Sequence, residues 1–339
     1  MGNGGEAAAA AVAGNEEEQA VLYVFGDSYA DTGNHDPYSP DADVAKPWWP
    51  PYGSTWPGSS TGRFSDGRVF TDFYVSETHA KEPIPYMALK TKEGDWLGGV
   101  GHGRSRGINF AFGGSGVFTV SNPYVYNVSM QIQQLQTTID LGIVSTHELS
   151  ESKALFVISG NDYSNYIAKF PNLTGLQDFI PQVVEQMVID LETLSEIGFK
   201  SFVVNSLPPL GCVPSITSAN NYSACVDTVN TACAYHNSLL EAQISSLQQR
   251  LVNTTFVTID LFGAFEEVLE QVLQEVVEDG TLPLTPCCDG ECGIVDENGI
   301  ALYTLCSNPE TTLYWDAAHP TNFGWKKVFS ILFSSLQAT

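Results

Sequence analysis

Fourteen residues near the start of the chain, Val21-Leu22-Tyr23-Val24-Phe25-Gly26-Asp27-Ser28-Tyr29-Ala30-Asp31-Thr32-Gly33-Asn34, constrain the fold more than any other stretch. The apolar run from Val21 to Phe25 holds aromatic and β-branched residues and halts at Gly-Asp-Ser. Such a run, closed by turn residues, reads as a strand buried on both faces. In open α/β sheets chemistry gathers at the carboxyl ends of strands, which is where Ser28 falls. A serine hydroxyl is a weak nucleophile until a base takes its proton. A chain built around Ser28 must therefore also supply a base, an acid to orient it and donors for an oxyanion.

The rest of the sequence repeats the strand pattern. Ile108–Phe112, Ala154–Ile158, Phe202–Val204 and Phe256–Ile259 are short apolar runs with polar or glycine-rich stops. Between them, apolar residues at helical spacing predict helices over Val69–Val75, Gln131–Leu141, Phe179–Ile197, Ala232–Leu251, Phe262–Val277 and Trp325–Leu336. Alternation of this kind implies an α/β chain: a three-layer α/β/α sandwich around a central, mostly parallel five-stranded sheet. With 339 residues, 43% of them hydrophobic, the chain can bury one large core. Residues 1–19, rich in Gly, Ala and Glu, are expected to be a disordered segment preceding a single domain over 20–339.

Three stretches read as loops. Pro47–Gly58 carries too many prolines and glycines for a regular element. Its Trp48, Trp49 and Trp56 would either form an apolar lip or sugar platform for a ligand, or pack the loop onto the body. Lys90–Gly107 is glycine-rich and polar, and Cys287–Cys306 is a cysteine-stapled loop.

Fourteen Lys and Arg stand against 39 Asp and Glu, a formal net charge of −25 that repels phosphate backbones and anionic lipid. Nucleic acid is accordingly excluded as a partner, and no apolar stretch is long enough for an integral membrane segment. Asn127, Asn172, Asn221 and Asn253 head Asn-x-Ser/Thr sequons. The seven cysteines, at 212, 225, 233, 287, 288, 292 and 306, suit three disulfides and one leftover thiol. Cys287, Cys288, Cys292 and Cys306 could alternatively hold zinc, but they lack paired C-x-x-C spacing. These features favour a secreted, monomeric protein. The Ala7–Ala13 run, with Glu6 in place of a basic region, does not make a signal peptide, so an intracellular location is the alternative.

Of the six histidines, His319 alone has an aspartate three residues before it, in Trp315-Asp316-Ala317-Ala318-His319-Pro320. A loop of that length lets the Asp316 carboxylate reach the imidazole, fixing its tautomer and stabilising the imidazolium formed during proton transfer. Pro320 biases the residue before it to extended backbone, so the segment is a loop. Acyl transfer puts charge on a carbonyl oxygen, and the Ser28 and Gly114 amides with the Asn161 side chain, at three strand ends, would supply donors to it. Every group this chemistry needs is thus present without metal or organic cofactor.

Block by block the chain resembles the plant GDSL esterase/lipases of the SGNH hydrolase superfamily. The blocks are Phe25–Asn34, Gly107–Gly114, Gly160-Asn161-Asp162 and Trp315–Thr321, with further matches at Thr61–Arg68 and Leu207–Cys212. Tyr29 replaces the leucine of the family's name. The resemblance covers residue 20 to the end. It implies Ser28 as nucleophile, His319 as base, Asp316 as orienting acid, and Ser28, Gly114 and Asn161 as the oxyanion hole.

Two other motifs are decoys. Gly103-Arg104-Ser105-Arg106-Gly107 has the G-x-S-x-G spacing of classical α/β-hydrolases but lacks the preceding strand. Asp31-Thr32-Gly33 resembles an aspartic-protease triplet but has no second copy; Asp31 and Asn34 are read instead as holding the nucleophile loop in shape. The expected function is a carboxylester hydrolase acting on a small-molecule or polymer-linked ester through an acyl-enzyme. The alternatives are an acyltransferase to an alcohol acceptor and a non-catalytic binding or storage glycoprotein on the same fold.

Overall fold

A computed structural model of the protein describes residues 19–38, 46–90, 106–120, 122–274 and 282–337. Of the segment 1–19 expected to be disordered, residues 1–18 lie outside the described residues, as does the decoy Ser105.

Six strands form the central sheet: β1 (Leu22–Gly26), β2 (Ile84–Pro85), β3 (Ile108–Asn109), β4 (Lys153–Val157), β5 (Ser201–Asn205) and β6 (Thr255–Ile259). Their order is β2-β3-β1-β4-β5-β6, and every recorded pairing is parallel. The expected five strands are all present; β2 is the sixth. Two residues ending in proline leave no periodicity to read, and β2 pairs only with β3, at the sheet edge where a proline is tolerated.

The sheet is covered on both faces, as its near-continuous apolar strands require. Alternate residues point to opposite sides. Tyr23, Phe25, Ala154, Phe156, Phe202 and Val204 pack in one core with α2 (Val128–Asp140), α5 (Leu176–Ile197) and α7 (Asp227–Arg250). Leu22, Val24, Leu155, Val157 and Val203 pack in the other with α1 (Phe70–Thr78), α8 (Leu261–Gln274) and α9 (Asn322–Gln337). The short helices α3 (Thr146–Ser150), α4 (Asn161–Lys169) and α6 (Pro214–Thr217) complete the set.

Three disulfides form, Cys212–Cys225, Cys287–Cys306 and Cys288–Cys292, and Cys233 remains a buried free thiol. The four sulfurs weighed as a zinc set are therefore consumed by pairing with one another. The cysteine loop is more regular than expected. Cys288–Val295 (β7) and Ala301–Leu305 (β8) make an antiparallel hairpin, which its Cys, Gly and Asp composition conceals. Backbone bonds from Cys287 and Cys288 to the carbonyls of Tyr314 and Trp315 dock this hairpin beside the C-terminal loop.

The strand order fixes where chemistry can occur. The connection that leaves β1 runs to β2 on one side of it, whereas the one that leaves its neighbour β4 runs the opposite way to β5. The crevice beyond the carboxyl end of β1 is thus the topological switch point, where open α/β sheets bind ligands.

Candidate active site

Ser28 sits in the turn that leaves β1. Gly26 closes that strand at φ 150°, and a Cβ there would fall 2.0 Å from the Val157 carbonyl oxygen, so only glycine lets β1 and β4 approach this closely. The carboxylate of Asp27 then bridges two strand ends. One oxygen accepts the Tyr29 amide, and the other accepts both the amide and hydroxyl of Ser159, just beyond β4. Asp31 accepts the amides of Gly33 and Asn34 on one oxygen and that of Gly113, beyond β3, on the other. The Asn34 side-chain nitrogen donates to the carbonyls of Asn109 and Ala111. Asp31 and Asn34 thus tie the Ser28 turn to its neighbouring strand.

The C-terminal loop brings its polar groups to the same place. His319 Nε2 lies 2.8 Å from Ser28 Oγ, and His319 Nδ1 lies 2.7 and 2.9 Å from the two Asp316 oxygens. Asp316 Oδ1 also accepts the Ala318 and His319 amides, so the Asp-x-x-His spacing folds back on its own carboxylate. Two residues 291 apart in sequence are joined at hydrogen-bond distance. Burial pushes Asp316 up, but the positive charge available at His319 and these hydrogen bonds outweigh it and hold it at about 2. It is therefore ionised at neutral pH.

Each residue expected in the oxyanion hole borders one cavity of about 370 Å³, which also holds His319 and Asp316. The adjacent glycines divide their roles: the Gly113 amide is committed to Asp31, which leaves Gly114 as the one whose amide can face a ligand. Asn161 begins α4 directly after Gly160, and its side-chain nitrogen donates to the Ser115 carbonyl at 2.9 Å. That bond uses one of two N–H groups and orients the other.

Three supporting contacts were not legible in the sequence. The Tyr52 hydroxyl donates to Asp316 Oδ2 at 2.8 Å, from within the Pro-Trp loop 264 residues away. Burial and the neighbouring carboxylate drive the Tyr52 phenol well above its ordinary range, so it remains a donor. The Tyr29 hydroxyl, at the position of the family's leucine, donates to the Ala318 carbonyl beside His319. Finally, Phe64 places its ring 5.0 Å from the His319 imidazole. The sequence carries no local signal for such pairings.

Of the three loop tryptophans, Trp48 and Trp56 pack against the body while Trp49 is exposed. Trp48 Nε1 donates to the His35 carbonyl, Trp56 lies under Arg63 and Arg68, and none of Trp48, Trp49 and Trp56 lines the cavity of Ser28. Among the described residues no group of three or more His, Cys, Asp or Glu is arranged to hold a metal ion.

Residues 22–332 match the family model of the GDSL-like lipase/acylhydrolases. Two GDSL esterase/lipases of Arabidopsis thaliana are 40% identical over 329 residues, covering 94% of this chain and 87% of the relative, and 39% identical over 326 residues, covering 94% and 88%. Among solved structures, an extracellular lipase from Streptomyces rimosus aligns over 93% of this chain and 99% of its own at 14% identity. Its TM-score of 0.36 is too low to add to the assignment. The chain belongs to the GDSL lipase/acylhydrolase family, and is a carboxylester hydrolase.

Proposed function

We propose that the protein cleaves carboxylic esters through an acyl-enzyme on Ser28. The observation that carries this reading is the continuous row Ser28 Oγ, His319 Nε2, His319 Nδ1, Asp316, each step within hydrogen-bond distance. Ser28 Oγ attacks the ester carbonyl carbon as its proton passes to His319 Nε2, and Asp316 stabilises the resulting imidazolium. The carbonyl electron pair moves onto oxygen, which the Ser28 and Gly114 amides and the Asn161 side chain receive. As that oxygen re-forms its double bond, the ester C–O bond breaks and the alcohol leaves with the proton from His319. Water then attacks the acyl-enzyme with His319 again as base, and the acid departs as Ser28 recovers its proton.

Replacing Ser28 by alanine tests the reading. Turnover of p-nitrophenyl acetate is expected to disappear while the melting temperature is kept. Retained turnover in the folded variant would discard Ser28 as nucleophile.

The same reading makes the protein a secreted glycoprotein. Three disulfides support an oxidising compartment, and Asn172, Asn221 and Asn253 are exposed sequon positions. Asn127 differs, since it is buried and caps α2 by accepting the Met130 amide. Peptide mapping of the protein from a secreting host is expected to find no glycan on Asn127; a glycan there would contradict the cap.

A further inference from the structure

Beside the catalytic cavity lies a second one, and its lining differs in kind. It is walled by Tyr163 and Ile167 of α4, Leu207 and Leu210 of the loop after β5, and Ala232 and Cys233 of α7. Ser164, Leu210, Val213 and Ser215 line both cavities, so the two meet along a shared wall. Leu210 stands at that boundary. Its Cδ1 would lie 2.5 Å from a Cβ on Gly160, the residue before Asn161, so a glycine at 160 is what admits the leucine.

The recess is held open by built contacts. Asn237 of α7 both accepts the Leu207 amide and donates to the Leu207 carbonyl, while Asn230 accepts the amide of Gly211. The Cys212–Cys225 disulfide closes the same loop. Across the recess, the Tyr163 hydroxyl is bound to His236 Nδ1 at 2.6 Å, which turns its ring edge away from free rotation. Tyr163, Leu207 and Cys233 are all buried.

Resting on the acyl-enzyme reading above, we propose that this recess is the acyl-tail subsite and that Leu210 and Ala232 set the chain length it takes. The chemistry of the two half-reactions decides which end of an ester belongs there. The alcohol must leave and water must enter between the half-reactions, which suits the larger cavity, bordered by Lys46, Asn122 and Asn161. The acyl group stays attached through both, and an apolar recess holds a hydrocarbon tail while excluding water. The recess has a free volume of about 40 Å³. One ordered water needs about 10–15 Å³ on that measure, so the recess holds roughly three carbons, and a tail that enters it directly from the acetyl methyl fills it at pentanoate. The substrate class is thus an ester of a short straight-chain fatty acid.

The test is a p-nitrophenyl ester series from acetate to dodecanoate, with a parallel series of alkyl acetates in which only the alcohol lengthens. The wild-type kcat/KM is expected to rise up to about fourfold for each methylene added as far as pentanoate, and then to stop rising. Leu210→Ala moves that limit to longer acids by two carbons or more. Ala232→Leu lowers the pentanoate-to-acetate ratio about tenfold or more. In the alkyl acetate series Ala232→Leu leaves the ratio of long to short alcohols unchanged, since of the two cavities Ala232 borders only the recess. Melting temperatures confirm folding, and either variant alone decides the matter if the other does not fold. Ratios unchanged in the acyl series, or changed in the alcohol series instead, would overturn the acyl-tail assignment. Absence of any Ser28-dependent hydrolysis, acetate included, would instead remove the mechanism on which it rests.

Discussion

Ser28 and the pair Asp316 and His319 are held by different parts of the molecule. Ser28 stands on the central sheet: Gly26 closes β1, and Asp27 and Asp31 lash its turn to the ends of β4 and β3. Asp316 and His319 stand on a loop outside the sheet. That loop is positioned by its own backbone amides, by Tyr52 from the Pro-Trp loop, by the Tyr29 hydroxyl and by the disulfide-closed hairpin. The electrostatics differ in the same way. Asp31 and Asp316 are both buried, yet burial raises Asp31 to about 7, while the interaction with His319 and the hydrogen bonds overcome burial and hold Asp316 at about 2. His35 Nε2 lies 3.5 Å from Asp31, and the Arg63 guanidinium, which also acts on Asp31, has its two-pronged bond with Asp72. Burial prevails at Asp31, whereas at Asp316 the contact with His319 and the hydrogen bonds prevail, and Asp316 is the carboxylate the proposed mechanism needs ionised.

The largest effect expected from breaking the comparison is at the histidine. His319→Ala should lower kcat for p-nitrophenyl acetate by about 10⁴-fold or more, because Ser28 loses its base while the sheet-borne half of the site is untouched. A loss below tenfold, measured by steady-state kinetics, would mean that another group takes the proton. Asp316→Asn should cost about 10³- to 10⁴-fold, since an amide can hold the imidazole in the wrong tautomer.

Tyr52→Phe sharpens the distinction between holding and reacting. It removes one hydrogen bond to the ionised Asp316, worth about 1.5–3 kcal/mol, so kcat should fall about tenfold with KM little changed. A matching rise in KM would place Tyr52 in substrate binding instead.

The smallest effect is in the pH dependence of stability. Asp27, Asp31 and Asp190 are raised by burial to about 6, 7 and 7, so between the ordinary carboxylate range and those values the folded protein holds protons that the unfolded chain has released. Their contribution is complete at low pH and is lost as pH rises through 6 to 7. Asp316 acts oppositely, and its contribution is lost only as pH falls toward 2. The melting temperature should therefore be higher at pH 5.5 than at pH 8, and Asp31→Asn should flatten that difference. A melting temperature that climbs with pH over this range would contradict the assignment of these carboxylates.

The same contrast explains what could be read from the sequence. Regions governed by local pattern were legible: the strand and stop around Ser28, the helices α5 and α7 to within a few residues, and the Asp-x-x-His spacing that folds onto itself. Elements whose reasons are distant were not. The strand β2 is two residues long and exists because β3 offers an edge. The hairpin of β7 and β8 is rich in glycine and acidic residues and is held by disulfides and by the segment before Asp316. Tyr52 looks like any loop aromatic until the fold brings Asp316 to it. Gly114 was named from the sequence, but the bond that engages its neighbour, from the Gly113 amide to Asp31, joins residues 82 apart and had no local signal.

The central claim is that Ser28 is the residue that becomes acylated. It is tested most directly by treating the protein with a fluorophosphonate, which reacts with an activated serine, and locating the adduct by peptide mass spectrometry. The account predicts one adduct, on the peptide carrying Ser28, absent from Ser28→Ala and greatly slowed in His319→Ala. An adduct on another serine, with Ser28 unmodified in an active protein, would contradict it.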